Sequence, residues 1–139
     1  MEYRREGNIV VAKLDHGCDF FESLRGILKK VGKEGAVVVA GIGMLEDFKL
    51  GYYDSIKDEY QWKEYPEPME LVSIEGSIAD DGSIHIHAVV SGEDHIANSG
   101  HLKGGKVFNV AEVTLNVFED IDIKRKLDED RGSELLSVE

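Results

Sequence analysis

The segment IHIHAVV, residues 84–90, carries the clearest strand pattern in the chain. Apolar residues hold every even position, and His85 and His87 hold two of the odd ones. Because successive side chains of a β-strand point to opposite faces of the sheet, this alternation predicts a strand whose even-numbered face is buried. His85 and His87 then project together from the other face, about 6–7 Å apart along the backbone.

A third histidine lies in the next predicted strand, residues 96–102, which follows the turn Gly92-Glu93-Asp94-His95. Ile96 and Leu102 again hold even positions, whereas His101 holds an odd one. We therefore expect the apolar residues of both strands to face one core. His101 then shares the opposite face with the first two histidines.

The turn between these strands leaves two registers open. A hairpin centred on residue 93 sets His101 opposite His85, and one centred on residue 94 sets it opposite His87. Directly opposed residues of an antiparallel pair have Cβ atoms about 4.5–5.5 Å apart, so either register brings three imidazoles together. Three histidines are the ligand set of a catalytic zinc site that keeps a fourth position open, and imidazole also suits copper, nickel and iron.

The alternative interpretation needs no metal. The H-x-H pair would then be two polar residues on a solvated sheet face, and His101 would cap a turn. The two remaining histidines, His16 and His95, do not share the strand phase, and we expect them to be exposed loop residues. The metal interpretation therefore uses His85, His87 and His101 only.

One helix is predicted upstream of these strands. Asp19 is placed to cap its N-terminus, with Glu22 three residues later, and Gly32 and Gly35 bracket its end. Its apolar stripe follows the i, i+3, i+4 spacing and consists of Phe21, Leu24, Leu28 and Val31.

The remaining apolar runs predict a sheet. One helix stands against seven or eight strands, and short turns join the later strands. The fold class is therefore α+β, with a mostly antiparallel sheet of about seven strands and one main flanking helix. Besides the histidine hairpin, the predicted strands are residues 8–14, 36–40, 49–53, 69–78 and 107–118.

The length of 139 residues is usual for one domain, so the chain is interpreted as a single domain over residues 1–139. Its core spans about residues 8–119, and residues 120–139 form a charged C-terminal tail. We expect the stretch after Asp130 to fray. The tail also has an edge-strand pattern of three apolar residues, Ile121, Ile123 and Leu127.

Composition restricts the partners. The formal net charge is −12, which repels phosphate backbones and anionic lipid surfaces, so we expect neither direct nucleic-acid binding nor membrane association. The longest apolar run, residues 36–45, is about half the length of a membrane-spanning helix. Cys18 is the only cysteine and the first residues lack a secretory pattern, which together predict a cytoplasmic protein.

Two further segments suggest a ligand, but the sequence favours structural roles for both. Gly41-Ile42-Gly43 lacks the third glycine of a dinucleotide fingerprint, and a strand rather than a helix follows it. We expect these glycines to bulge the strand or to bring two backbones close together. The aromatic residues of segment 52–65 lie among acidic residues, which disfavours base stacking and favours edge-strand packing or a subunit contact.

Several motifs follow one another along the chain. They are Leu14-Asp15-His16-Gly17, Gly41-Ile42-Gly43-Met44, Glu70-Leu71-Val72-Ser73-Ile74-Glu75-Gly76, His85-Ile86-His87-Ala88, Gly92 and Ser99-Gly100-His101-Leu102. Together they resemble the PPC domain, also written PCC, a family of plants and prokaryotes. The resemblance spans about residues 8–119, and Ser99 stands where the family usually has glycine.

The resemblance implies an antiparallel sheet with a flanking helix, assembled as a homotrimer, with His85, His87 and His101 as metal ligands. Plant relatives join this domain to AT-hook segments that bind DNA. An AT-hook needs an Arg-Gly-Arg core for the minor groove, and here Arg131-Gly132 is followed by Ser133 within an acidic tail. The DNA-binding role of the plant relatives is therefore not expected of this chain alone.

The functional hypothesis is a homotrimeric protein that binds a divalent metal, zinc, and has a small-molecule or hydrolytic role. No motif names the reaction. A general base would come from a carboxylate near the hairpins, and Glu75, Glu93, Asp94 and Glu112 stay open as candidates. The alternative hypothesis is an oligomerisation or interaction module of a transcription-related protein, which recruits a protein partner without catalysis.

Overall fold

The computed structural model describes residues 1–139 as eleven strands and one helix. In chain order these are β1 (Glu2–Glu6), β2 (Ile9–Asp15), α1 (Phe20–Val31), β3 (Ala36–Glu46), β4 (Phe48–Asp54), β5 (Glu59–Tyr65), β6 (Met69–Ile78), β7 (Ile84–Ser91), β8 (Ala97–Lys103), β9 (Lys106–Val117), β10 (Ile123–Asp128) and β11 (Ser133–Val138).

Nine strands form one sheet in the order β1-β2-β9-β3-β6-β7-β8-β4-β5, and all neighbouring pairs are antiparallel. The prediction of a mostly antiparallel sheet with one helix is confirmed, but the main sheet has nine strands rather than about seven. The two additional strands, β1 and β5, lie at the edges of the sheet. Edge strands carry charged side chains, so their sequences, EYRRE and EYQWKEY, lack a continuous apolar phase.

Helix α1 packs on one face of the sheet, here called the inner face, and joins a single core cluster of 25 buried residues. The Asp19 carboxylate accepts a hydrogen bond from the Glu22 N–H at 2.9 Å, and Gly32 ends the helix in the left-handed region, at φ 70°. The predicted cap is confirmed. The buried stripe differs from the predicted one, since Phe21 and Val31 are only partly buried. The buried helix residues are Phe20, Leu24, Ile27 and Leu28.

The helix has 12 residues and is neither long nor apolar enough to cross a membrane.

Strand β3 contains the irregularity that its glycines predict. Its register against β9 shifts on both sides of the Gly41–Gly43 segment. Gly43 has a φ of 138°, and a Cβ at this position would overlap the carbonyl oxygen of Val110 in β9. A side chain is therefore excluded where the two backbones meet. Asp47 joins this strand directly to β4. No helix follows the glycines, although a phosphate-binding loop would require one.

The turn before β8 corrects one core prediction. Ile96 is 62% exposed, because β8 begins only at Ala97. The Asp94 carboxylate accepts a hydrogen bond from the Ile96 N–H at 3.0 Å, and His95 adopts a positive φ of 59°. This turn redirects the chain before the strand alternation starts.

The C-terminal residues form a second, two-stranded sheet instead of a frayed tail. Strands β10 and β11 pair with each other and do not extend the main sheet, so the expected edge strand is also wrong. Ile123 anchors this C-terminal hairpin, since its side chain is buried and its carbonyl accepts a hydrogen bond from the Asp80 N–H at 2.8 Å. The hairpin is thereby held beside the end of β6.

Candidate metal centre

The three predicted histidines converge on the outer face of the sheet, opposite α1. Strand pairing sets His101 directly opposite His87, which is the register centred on residue 94. His85 lies two residues before His87 on β7 and therefore on the same face. The three ring centroids are 4.9–5.6 Å apart.

Their nitrogens suit a metal ion. Each histidine offers one nitrogen within 4.8 Å of the other two, and the Nε2 atoms of His85 and His87 are 3.2 Å apart. Two nitrogens on a tetrahedral zinc ion at the usual bond length lie about 3.3–3.4 Å apart. The Nδ1 atom of His101 is buried without a hydrogen-bond partner, an arrangement that is costly unless a ligand satisfies it.

Burial and neighbouring charges lower the pKa of two of the imidazoles. Burial lowers the pKa of His101 to about 4, and the neighbouring His85, His87 and Lys103 act in the same direction. The pKa of His85 is also lowered, first by partial desolvation among its neighbours and then by the positive charge of Arg125 and by His87. Metal ions bind the unprotonated imidazole, so near neutral pH these two side chains have the protonation state that a metal site requires.

Aromatic side chains of the edge strand support His101. The ring of Tyr60 lies 5.2 Å from His101, and that of Trp62 lies 5.9 Å from it. Gly51, which pairs with His101, makes room for both rings, because a Cβ on Gly51 would come within 2.7 Å of Trp62 and 2.9 Å of Tyr60. The sequence predicts edge-strand packing or a subunit contact for the aromatic segment, and it does not predict the contact with the histidines. The sequence signal for this contact is Gly51, since a glycine inside a strand indicates that a bulky group approaches closely, and an aromatic segment follows it.

Strand pairing also distinguishes the four candidate carboxylates. Glu75 pairs with His87 across β6 and β7, and both line a cavity of about 330 Å³ that also contains His85. Glu93 and Asp94 instead line a separate groove near the β7–β8 turn. Glu112 pairs with Ile42 of β3 and Lys13 of β2, away from the histidine strands.

Arg125 is a neighbour of the site that the sequence did not reveal. Its Nη2 donates a hydrogen bond to the Ser77 hydroxyl at 2.6 Å, and Ser77 is the cross-strand partner of His85. The same cavity is lined by Leu135 and Leu136 of the C-terminal hairpin. The hairpin therefore forms one wall beside the histidines.

The other two histidines lie outside the cluster. His95 is exposed in the β7–β8 turn, as predicted. His16 is exposed beside Gly17, where its Nδ1 accepts a hydrogen bond from the Asn109 N–H at 3.0 Å and its ring packs on Phe108. Neither reaches the three-histidine cluster.

The sequence profile of the Plants and Prokaryotes Conserved (PCC) domain matches residues 1–119. The chain belongs to the PCC domain family. This match ends before the C-terminal hairpin. No curated protein matches the chain by sequence.

Solved structures agree with this assignment. The chain is similar to a metal-containing protein from Archaeoglobus fulgidus, with 30% identity, a TM-score of 0.80 and 99% of each chain covered. It is also similar to a PPC protein from Pyrococcus horikoshii, at 27% identity and a TM-score of 0.79, covering 98% of this chain and 93% of the other.

A third structure shares the fold at lower identity. A protein from Bacteroides thetaiotaomicron, provisionally described as DNA-binding, has a TM-score of 0.86 at 22% identity, with 98% of this chain and 96% of the other covered. At this identity the similarity shows the fold alone.

Proposed function

We propose that the chain is a metal-binding PCC-domain protein in which His85, His87 and His101 hold one divalent ion, zinc, and that it hydrolyses a small molecule. The observation that carries this proposal is the convergence of three imidazoles, two of them with lowered pKa, each with one nitrogen within 4.8 Å of the other two. The similar archaeal metal-containing protein adds support. The single free cysteine is consistent with a cytoplasmic location.

His85, His87 and His101 would hold the ion and leave room for water or substrate, and zinc would lower the pKa of that water to about 7. Hydrolysis also needs a base that accepts a proton. Glu75 is the best-placed carboxylate, since it pairs with His87 and lines the same cavity. We assign it the role of general base.

We also propose a homotrimer, as the family resemblance implies. Apolar side chains are exposed on the outer face of the central strands, where water would otherwise meet them. Val39 and Ile42 of β3 and Val72 of the neighbouring strand β6 are each about half exposed there. Contiguous exposed apolar residues mark interaction surfaces, so this patch supports a subunit interface.

The same patch supports the second candidate function, an interaction module that recruits a protein partner without catalysis. Metal dependence separates the two candidates. A module of this kind would show no zinc-dependent turnover of small molecules, whereas the hydrolytic candidate requires that turnover. For both candidates we propose no direct DNA binding, because the net charge is −12.

The hydrolytic role is tested with metal-stripped and zinc-reloaded protein on 4-nitrophenyl acetate and 4-nitrophenyl phosphate. We expect turnover of one ester by the reloaded protein only. Glu75→Gln should lower that turnover by roughly 100-fold or more, as for loss of a general base, while its zinc content stays at the wild-type value. Equal rates for stripped and reloaded protein would contradict a hydrolytic role.

A further inference from the structure

We propose that the ligand of this site is a small oxyanion, a carboxylate or a phosphate, which Arg125 of the C-terminal hairpin binds beside the histidines. This inference rests on the proposed metal site and adds its substrate class. It is carried by the position of Arg125, by its free donors and by the charge of the cavity.

The hairpin brings Arg125 to the histidines through defined contacts. Ile123 is buried and exchanges hydrogen bonds with Asp80, since its carbonyl accepts from the Asp80 N–H and its N–H donates to the Asp80 carboxylate at 3.3 Å. Two residues further along β10, the Arg125 guanidinium reaches Ser77, the cross-strand partner of His85. Ser77 and His85 are directly opposed, and such residues have Cβ atoms about 4.5–5.5 Å apart. The Arg125 guanidinium, bonded to Ser77, therefore lies close to the His85 side chain.

Arg125 has unused binding capacity. A guanidinium has five N–H donors in a planar fork, and the hydrogen bond to Ser77 is the only one that Arg125 makes within the chain. Arg125 also forms no ion pair, although the chain has 28 acidic residues. The side chain is half-buried, and its hydrogen bond to Ser77 orients the guanidinium. A planar fork of this kind matches a carboxylate or a phosphate.

The charge of the cavity makes anion binding depend on the metal. Glu75 and Glu134 line the same cavity as Arg125, so without a metal their two negative charges outweigh its positive charge. A bound divalent ion reverses that balance. An anion is therefore attracted to the metal-loaded protein and repelled by the stripped protein.

The size and lining of the cavity limit the rest of the ligand. A volume of about 330 Å³ is at the lower end of small-molecule sites. Leu135 and Leu136 of β11 supply an apolar wall. We therefore infer a small ligand with one anionic group and a short apolar body.

Calorimetric titration with acetate, methylphosphonate and the neutral acetamide tests this proposal. Zinc-loaded wild-type protein should bind at least one of the two anions and not acetamide, and the stronger anion identifies the ligand as carboxylate or phosphate. Arg125→Gln should weaken that binding roughly tenfold or more while zinc content stays constant. Arg125→Lys should restore it only in part, because lysine lacks the fork.

Arg131→Gln is the matched control, since Arg131 is exposed on the turn of the same hairpin and does not line the cavity. It should bind anions like the wild type. Unchanged affinity in Arg125→Gln, or equal binding of acetamide and acetate, would overturn the proposal while leaving the metal site intact. Wild-type protein that holds no zinc would overturn the metal site first, and this inference with it.

Discussion

Strand β7 has two faces that differ in what they contact. On the inner face, Ile86 is fully buried in the core. On the outer face, His85 and His87 are exposed and meet His101 of β8. Neighbouring residues of this strand thus have different roles: Ile86 packs in the core, whereas His85 and His87 belong to the histidine cluster. Substitutions on the two faces should therefore affect different properties.

Removing the inner side chain should have the largest effect on stability. Ile86→Ala leaves a cavity in the core and should lower the free energy of unfolding by about 4 kcal/mol. His85→Ala removes an exposed side chain, so the metal-free variant should change by less than about 1 kcal/mol. Urea unfolding of stripped protein measures both. Equal losses in the two variants would show that the faces are not separate.

The second prediction concerns a glycine in β6, the strand that pairs with β7. Gly76 of β6 pairs with Ile86 at a φ of 155°, and a Cβ there would overlap the carbonyl oxygen of His85. Gly76→Ala should therefore destabilise the protein by about 2–3 kcal/mol and also disturb the histidine strand.

The matched control is Gly26 in α1, where a Cβ would meet no atom within 4 Å. Gly26→Ala should stabilise the protein by about 0.5–1 kcal/mol, because alanine favours the helix and restricts the unfolded chain. Thermal unfolding of both variants measures the difference. A harmless Gly76→Ala would contradict the close approach of β6 and β7.

These contrasts also show what the sequence could predict. The alternation in β7 and β8 predicted that the three histidines share one face, because the side-chain period of a strand is short and local. The alternation allows two registers, because the turn decides between them. In the structure the hairpin is centred on residue 94, in the turn that contains Asp94 and His95. Local patterns were sufficient for this part of the site.

Contacts between distant segments could not be predicted in this way. The hydrogen bond from Arg125 joins it to Ser77, 48 residues away, and depends on a hairpin whose strands pair with each other instead of with the main sheet. The support of His101 by Tyr60 and Trp62 likewise needs the pairing of β4 with β5 and β8. The hydrophobic periodicity of one segment does not indicate which distant segment it pairs with.

The smallest expected effect is a pH dependence of stability that arises from His101 on the outer face. The pKa of His101 is lowered to about 4 in the folded protein, so the unfolded chain binds more protons once the pH falls below the ordinary histidine value of 6.5. The metal-free protein should therefore lose stability as the pH falls from 6.5 toward 4. His101→Gln should show a shallower loss.

Urea midpoints of chelator-treated protein at about pH 7, 6 and 5 measure this slope, in a range where most carboxylates stay ionised. Parallel slopes for the wild type and His101→Gln would mean that burial of the imidazole does not oppose its protonation.

The metal content of protein purified without a histidine tag tests the outer-face site most directly. We expect one zinc ion per chain in the wild type and a loss of at least about 90% after alanine substitution of His85, His87 or His101, because two imidazoles bind zinc much less well than three. His16→Ala and His95→Ala should keep the wild-type content. Wild-type protein without stoichiometric metal, or a loss confined to His95→Ala, would contradict a site built from these three histidines.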